Sequence, residues 1–376
     1  MDPYGKALAA ISALSLVVLI PPLIFHIRKR NVPTICLLTL LFLEAFNSVV
    51  CACIWSGDDF YTKWDGQGYC DVFEKIKAGT SSGKIAAVAA LSLDLYMILR
   101  AKNHKYLARG SRLKLITELS ICFITPVFCI ATNYIVQTSR YSIVRYVGCY
   151  GMYSGSVLTI FLVSIWTLLW GVVAVVLVIL TGVTYYRRRK DVKDLLHCTN
   201  SGLSVRRFTR ILVFIASVIT ILIPMVIYTF VRDAEFYHGP YDWKFTHEYF
   251  NYPIQFFAAT PDVTVSIWLN FAICVISFLL FGLGEDAILM YKSFVPQKVK
   301  DHFNSHEIKE QVLQVDYSEQ WEGANTGTTF GTTIGNSEIL MKDGFREDEF
   351  ELESVHTSSN VSNDLESILR YAQDNR

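Results

Sequence analysis

Seven stretches of this chain are each long and apolar enough to cross a bilayer, and that property limits the fold more than any other. A hydrocarbon core about 30 Å thick is spanned by roughly 20 apolar residues in helical form. The runs are Ala7 to Phe25, Pro33 to Trp55, Val72 to Leu99, Leu115 to Gln137, Ser156 to Tyr185, Ile211 to Val231 and Val263 to Met290. Backbone polar groups in hydrocarbon must be paired within their own segment, so each run is expected to be helical, and Pro21, Pro22, Pro126 and Pro224 read as kinks rather than ends. The expected fold class is an all-α membrane protein, a seven-transmembrane helix bundle. The first run is read as a helix and not a cleaved signal, because Asp2 and Lys6 cancel ahead of it and no small-residue cleavage site follows.

Charge then sets orientation. Net charge is formally zero with only 18% of residues charged, but the basic residues gather in alternate connections. Arg28, Lys29 and Arg30 follow the first run, Arg100, Lys102, Lys105, Arg109 and Arg112 the third, and a stretch from Arg187 to Arg210 the fifth. By the positive-inside rule the amino terminus is outside and the carboxyl terminus cytosolic. On that topology Asn360-Val361-Ser362 is a glycosylation motif on the wrong side of the membrane. The chain divides into a bundle, residues 1–291, and a cytosolic tail, residues 292–376. Lys292 to Lys309 are basic enough to lie on an anionic leaflet, and the later part is acidic around Glu347 to Glu351 with a GANTGTTFGTTIGNSE run, so the tail is expected to be mostly disordered.

Of nine cysteines, Cys36, Cys51, Cys53, Cys122, Cys129 and Cys274 fall inside apolar runs and Cys198 on the reducing side. Cys70 and Cys149 are best placed to form a disulfide, with Cys51 or Cys53 as rival partners. Charges within the spans call for a partner or a task. Glu44 and Lys84 lie at similar depth and can pair, or Lys84 can line a wet cavity; Asp94 approaches the cytosolic end. Lys75 stands one helical turn below Asp71, where a pair can form while the lysine stem snorkels upward. Gly79-Thr80-Ser81-Ser82-Gly83 is a GxxxG stretch suited to close packing inside the bundle, or to a homodimer face. The loop before the seventh run crowds aromatic residues, among them Trp243, Tyr249, Phe256 and Phe257, which either fold down as a lid or meet an apolar ligand.

The absences also direct the reading. No nucleotide-binding glycine loop, HExxH or GxSxG is present, so neither an enzyme, a cofactor, a metal nor a nucleic-acid partner is expected. A retinal protein would carry a Schiff-base lysine in its last helix, and no Lys lies between Lys244 and Lys292. A transporter using Glu44, Lys84 and Asp94 as an ion or proton path is the alternative function.

Six stretches together resemble one family: PPLIFHIRKRNVP, IWSGDDFYTKWDGQGYCD, RYSIVRYVGCY, KDVKDLLHCTNSGLSVRRFTRIL, PMVIYTFVRD and FGLGEDAILMY. They resemble the fungal mating-pheromone receptors of the lipopeptide type, a class of G-protein-coupled receptors, over most of residues 1 to 295. The resemblance implies a multi-pass plasma-membrane receptor for a prenylated, methyl-esterified peptide pheromone, acting through a heterotrimeric G protein. Ligand contact is expected from Asp71, Lys75, Tyr150, Tyr153, Trp243, Tyr249, Phe256, Phe257 and Trp268. G-protein contact is expected from Arg187, Arg188, Lys193, His197, Asn200, Arg206, Arg207 and Arg210. The third run ends Leu99-Arg100-Ala101 and the seventh has no Asn-Pro-x-x-Tyr, so rhodopsin-type switches are missing. Pro224 is the expected pivot. In WDGQGYCD, Gly66 and Gly68 are expected to reverse the chain, with Trp64 and Tyr69 at headgroup level, as a rim over the binding mouth.

Overall fold

A computed structural model describes residues 2–101, 104–108, 110–188, 205–248 and 250–282. The chain falls into two units, Met1–Val299 and Lys300–Arg376, and every described residue belongs to the first. The tail with its expected disorder, and Lys193, His197, Asn200 and Tyr249, lie outside the described residues.

Among the described residues, seven helices are long and apolar enough to cross a membrane. Their bounds are α1 Pro3–Lys29, α2 Val32–Trp55, α3 Tyr69–Arg100, α4 Arg112–Val136, α5 Val157–Arg187, α6 Val205–Phe236 and α7 Pro261–Ser277, the last continued by a π turn at Phe278–Gly282. Several outrun their apolar runs because capping carries the helix on into polar sequence. Asp2 accepts from the Gly5 amide at 2.7 Å ahead of Pro3, which has no donor to lose at that position. Arg30 closes α1 in the left-handed conformation (φ 53°), and Asn31 caps α2, so the turn between them is tight and the two helices run as a hairpin. Pro21, Pro22, Pro126 and Pro224 all lie inside helices.

α3 is the central post, and its small residues make that position available. A Cβ on Gly79 would come within 2.7 Å of Ile130 Cδ1 on α4, and one on Gly83 within 2.9 Å of Leu40 Cδ1 and 3.1 Å of Pro126 Cγ. The GxxxG stretch is therefore taken up in packing α3 against α2 and α4. Below it, Ala86, Ala87, Val88, Ala89, Ala90 and Leu91 are each no more than 1% exposed. Ala87 to Leu91 join Leu95 and Leu99 with Phe208, Phe214, Ile215 and Val218 of α6 in one apolar core at the end that carries the basic connections. The opposite surfaces are apolar and exposed: on α5, Leu169, Val172, Val176, Ile179 and Val183 recur every three or four residues, a stripe facing where lipid would be.

The other end is capped by a small sheet that the sequence reading did not anticipate. β1 (Ser142–Val144) pairs antiparallel with β2 (Gly148–Tyr150) and parallel with β3 (Phe256–Phe257), giving the order β2-β1-β3. Ile143 stands opposite both Cys149 and Phe256, so the connection before α5 and the one before α7 are joined across the bundle. The β1-β2 turn requires Gly148: its φ is +72°, and a Cβ there would meet Cys51 Sγ at 2.3 Å.

Candidate functional site

The rim of the capped end is fixed covalently and by charge. Cys70, in the first turn of α3, and Cys149, on β2, form a disulfide across 79 residues, while Cys51 and Cys53 are free. Gly66 and Gly68 (φ +77° and +82°) reverse the chain just ahead of it. Trp55 holds the reversal by donating its indole N–H to the Trp64 carbonyl at 2.8 Å and stacking on that ring. On the neighbouring side Arg145 donates to Asp58 at 2.6 Å and Asp2 at 3.2 Å and lies over the Tyr146 ring. Burial alone would raise the Asp2 carboxyl, but the Tyr146 hydroxyl, the Gly5 amide and the Arg145 charge outweigh it and hold the group below its ordinary range.

The expected Asp71–Lys75 pair does not form. Asp71 accepts two hydrogen bonds from the Arg140 guanidinium, at 3.1 and 2.6 Å, and caps the Gly68 amide at 3.1 Å. A two-pronged guanidinium suits a carboxylate better than one ammonium from the next turn. Lys75 instead donates to the side chains of Asn133, at 2.7 Å, and Gln137 on α4. Asn133 in turn donates to the Tyr153 hydroxyl at 3.1 Å, which donates to Glu74 at 3.3 Å. Burial, and then the Glu74 charge, push the Tyr153 phenol well above its usual range, which keeps its proton available to the carboxylate. Glu74 is only 3% exposed and its role was not foreseen, since a glutamate beside two lysines near a helix end reads as an ordinary interfacial charge.

Beneath this rim lies a cavity of about 540 Å³ between α2, α3, α6 and α7. Along α3 its wall runs from Phe73 to Lys84, about 16 Å at helical rise. The mouth carries Tyr150, Val147, Arg232, Asp233 and Thr260; the middle Asn47, Lys77, Thr80, Ser81, Tyr228 and Thr229; the floor Leu43, Glu44, Lys84 and Met225. Lys84 and Glu44 form an ion pair at the floor. Lys77 donates to the Cys149 carbonyl at 3.1 Å and sits 5.2 Å over the Tyr150 ring, which couples the disulfide strand to the cavity wall. Asp233 accepts from Ser164 of α5, at a π turn (Ile160–Ser164), and Arg232 donates to the Tyr228 hydroxyl at 2.8 Å. The cavity is large enough for a small ligand or part of a peptide, and its walls hold cationic, anionic and hydroxyl groups among apolar ones.

Of the residues expected to touch ligand, Tyr150 lines this cavity. Asp71, Lys75 and Tyr153 belong to the polar network above and behind it. Trp243 packs on Tyr134 at the outer end of α4, and Tyr241 donates to the Ile135 carbonyl at 2.7 Å, so the first part of the aromatic loop lies against α4 rather than over the cavity. Phe256 and Phe257 form β3, and Trp268 donates to Tyr4 of α1 at 3.4 Å. Lys77, Tyr228, Arg232 and Asp233 line the cavity and were not among the expected contacts. Their signal was present in sequence as polar residues at helical spacing near the outer ends of the third and sixth runs.

At the basic end, Arg187 and Arg188 close α5, with Arg188 donating to the Leu99 carbonyl at 3.5 Å, and Arg206, Arg207 and Arg210 lie in the first two turns of α6. Asp94 pairs with Lys114 of α4 at 2.6 Å, and Lys114 also reaches Glu118 at 3.5 Å. The dry layer from Ala86 to Leu91 stands between Lys84 and Asp94, so among the described residues Glu44, Lys84 and Asp94 fall into two separate pairings.

Comparison with known proteins agrees with this architecture. The profile of the family described as STE3, pheromone A receptor, matches residues 7–300. The "Pheromone a factor receptor" of Saccharomyces cerevisiae is 38% identical over 294 residues, 78% of this chain and 62% of that protein. The "Pheromone B alpha 3 receptor" of Schizophyllum commune is 26% identical over 76% of this chain and 47% of its own length. The "Pheromone M-factor receptor" of Schizosaccharomyces pombe is 27% identical over 62% of this chain and 63% of its own length. The matched stretch thus spans less than two thirds of each of these relatives. With a family match that takes in all seven spanning helices, the chain is a multi-pass membrane protein and belongs to the pheromone A receptor family.

Proposed function

We propose that the chain is a plasma-membrane, G-protein-coupled receptor for a peptide pheromone and catalyses no reaction itself. The observation that carries this reading is the family match from residue 7 to 300, with a cavity of charged, hydroxyl and apolar groups between four of the seven helices. The ligand is a short peptide ending in a prenylated, methyl-esterified cysteine. A masked carboxyl terminus removes the one fixed anion of such a peptide, and the cavity balances Lys77 and Arg232 with Asp233 rather than presenting a cationic clamp. Binding favours an active bundle by the ligand's differential affinity for the two states.

On the cytosolic face the heterotrimeric G protein meets the basic ends of α5 and α6, including Arg187, Arg188, Arg206, Arg207 and Arg210, together with the intervening Lys193, His197 and Asn200. Tyr185 and Thr209 hydroxyls stand 3.3 Å apart there, so the two helix ends present one surface. A homodimer would have to use a face other than Gly79–Gly83, which α4 already fills. The deciding assay compares a prenylated peptide with its unprenylated twin for nucleotide exchange on a co-expressed G protein. Exchange driven by the prenylated form alone is expected. Equal responses to both, or none to either, would sink the reading.

A further inference from the structure

The hydrophilic side chains in the cavity wall are, for the most part, already bonded within the protein. Thr80, Ser81 and Thr229 donate their hydroxyls to the carbonyls of Ile76, Lys77 and Met225, at 2.8, 3.3 and 2.9 Å, one turn earlier in their own helices. Asn47 accepts from the Tyr69 hydroxyl at 3.0 Å, and Lys77 donates to the Cys149 carbonyl. Glu44 and Lys84 neutralise each other at the floor, Asp233 accepts from Ser164, and Arg232 donates to Tyr228. Groups bonded in this way gain little from a ligand, and they keep their partners when the water beside them is displaced. The side chains that do gain are apolar. Leu43, Phe73, Ile76, Val147, Tyr150 and Met225 line the same wall, from the mouth to the floor, and Phe73 is held in place by the Tyr69 ring at a centroid distance of 4.5 Å.

We propose that the cavity is a hydrocarbon pocket, which takes the apolar chain of an amphipathic ligand and leaves the ligand's polar part at the mouth beside Arg232, Asp233 and Thr260. This rests on the receptor reading and deepens it: the prenyl group of the pheromone, rather than its peptide chain, is seated between α2, α3, α6 and α7. A volume of about 540 Å³ falls in the range of pockets that bury most of a small ligand among apolar side chains, with a few polar groups to orient it. Each CH₂ group taken out of water tightens binding about fourfold, so the chain supplies affinity and the mouth supplies register. The pocket also sets a limit on length. It ends at the Glu44–Lys84 pair, and directly below stand Ala86 to Leu91, each no more than 1% exposed. A chain long enough to reach that layer is expected to gain nothing from further carbons, because the close-packed helices there do not part for it.

The test needs neither pheromone nor G protein, so its failure is separable from failure of the receptor reading. Ser81→Cys places a thiol on the cavity wall, and Val176→Cys places one on the exposed apolar stripe of α5. The full-length chain in detergent is treated with alkyl methanethiosulfonates from ethyl to hexadecyl and, separately, with polyether reagents of matched length. Melting temperature is read for each product against the parent chain given the same reagent. Filling an apolar cavity restores contacts that its lining lacks. At position 81 the melting temperature is therefore expected to rise by several degrees as the alkyl chain lengthens and then to level off, while polyether chains give no rise. At position 176, where the chain meets detergent throughout, length should make no difference. Thr229→Cys, on α6, serves as a second reporter should the first variant express poorly. No rise with alkyl length at 81 and 229, an equal rise with polyether chains, or the same rise at 176 would overturn the proposal.

Discussion

On one side of Pro224 the bundle holds a cavity of mixed charged, hydroxyl and apolar lining under a disulfide and a three-stranded sheet, whereas on the other the helices meet in a core where Leu91, Leu95, Leu99, Phe208 and Phe214 are all but fully buried. The two regions are held together by different forces. In the dry half, close packing of small against large side chains suffices, because Ala86 to Ala90 let the other helices approach α3. In the wet half the same post is lined by Lys77, Thr80, Ser81 and Lys84, and a cavity cannot stabilise the helices that surround it. There the covalent bond, the Arg140–Asp71 and Arg145–Asp58 pairs and the strand pairing replace the missing core. Regions that must change on binding draw on the less stable part of a fold, and here that part is tied at its rim rather than filled.

The sharpest way to break this contrast is to cut the tie. Removing a disulfide that closes 79 residues should cost about 4 kcal/mol, and Cys70→Ser or Cys149→Ser should abolish pheromone binding at the cell surface. A variant that bound and signalled normally would show that the rim is held by the sheet alone. Next in size is the ion pair at the boundary between the halves. Lys84→Met should destabilise the receptor by about 2 kcal/mol, since it leaves Glu44 without its partner, and adding Glu44→Met should restore about 1 kcal/mol of that in a double-mutant cycle. Additive single effects measured by thermal denaturation in detergent would refute the coupling.

Pro224→Leu sharpens the comparison without disturbing either half, because Pro224 is exposed and its position separates the part of α6 that lines the cavity from the part in the core. Restoring the backbone hydrogen bond should stiffen the helix and shift basal and ligand-driven signalling several-fold. Unchanged dose-response curves would remove Pro224 from the mechanism. The smallest effect concerns Asp2. Its folded-state carboxyl is held below the ordinary value, so the stability it contributes is present above that value and is lost as pH falls through the lowered one. Asp2→Asn should therefore cost less than about 1 kcal/mol at neutral pH, a difference that stays constant down to about pH 5 and shrinks in stronger acid. A gap that widened on acidification would reverse the assigned sign.

The spans were legible because bilayer thickness imposes a length on every helix, and the prolines inside them were readable as internal because a spanning backbone cannot simply stop. The strands were not legible. Ser142 to Val144 is only three residues long, and its partner Phe256 lies more than a hundred residues away, so no local pattern announces the pairing. The cysteines facing each other across Cys70 and Cys149 could be narrowed by topology, but the rival partners could be dismissed only by coordinates. The site was the least readable part. Sequence favoured aromatic residues in loops, where apolar surface attracts attention, while the cavity draws on Lys77, Tyr228 and Arg232, whose shared depth depends on how far α3 and α6 are shifted along each other.

The anchoring of α6 has a mechanical consequence. Beyond its outer end the chain is pinned to the start of α5 by two backbone hydrogen bonds, Gly239 to the Gly155 carbonyl at 2.9 Å and Val157 to the Gly239 carbonyl at 3.1 Å, and Asp233 adds the bond from Ser164. A beam clamped at one end and hinged partway along moves only at its free tip. From Pro224 to Arg210 the arm is about 21 Å long, so a swing of about 10° carries the basic tip about 4 Å, roughly two thirds of a helical turn. A displacement too small to see in the cavity would thus become, on the opposite side of the membrane, the difference between a covered and an uncovered surface.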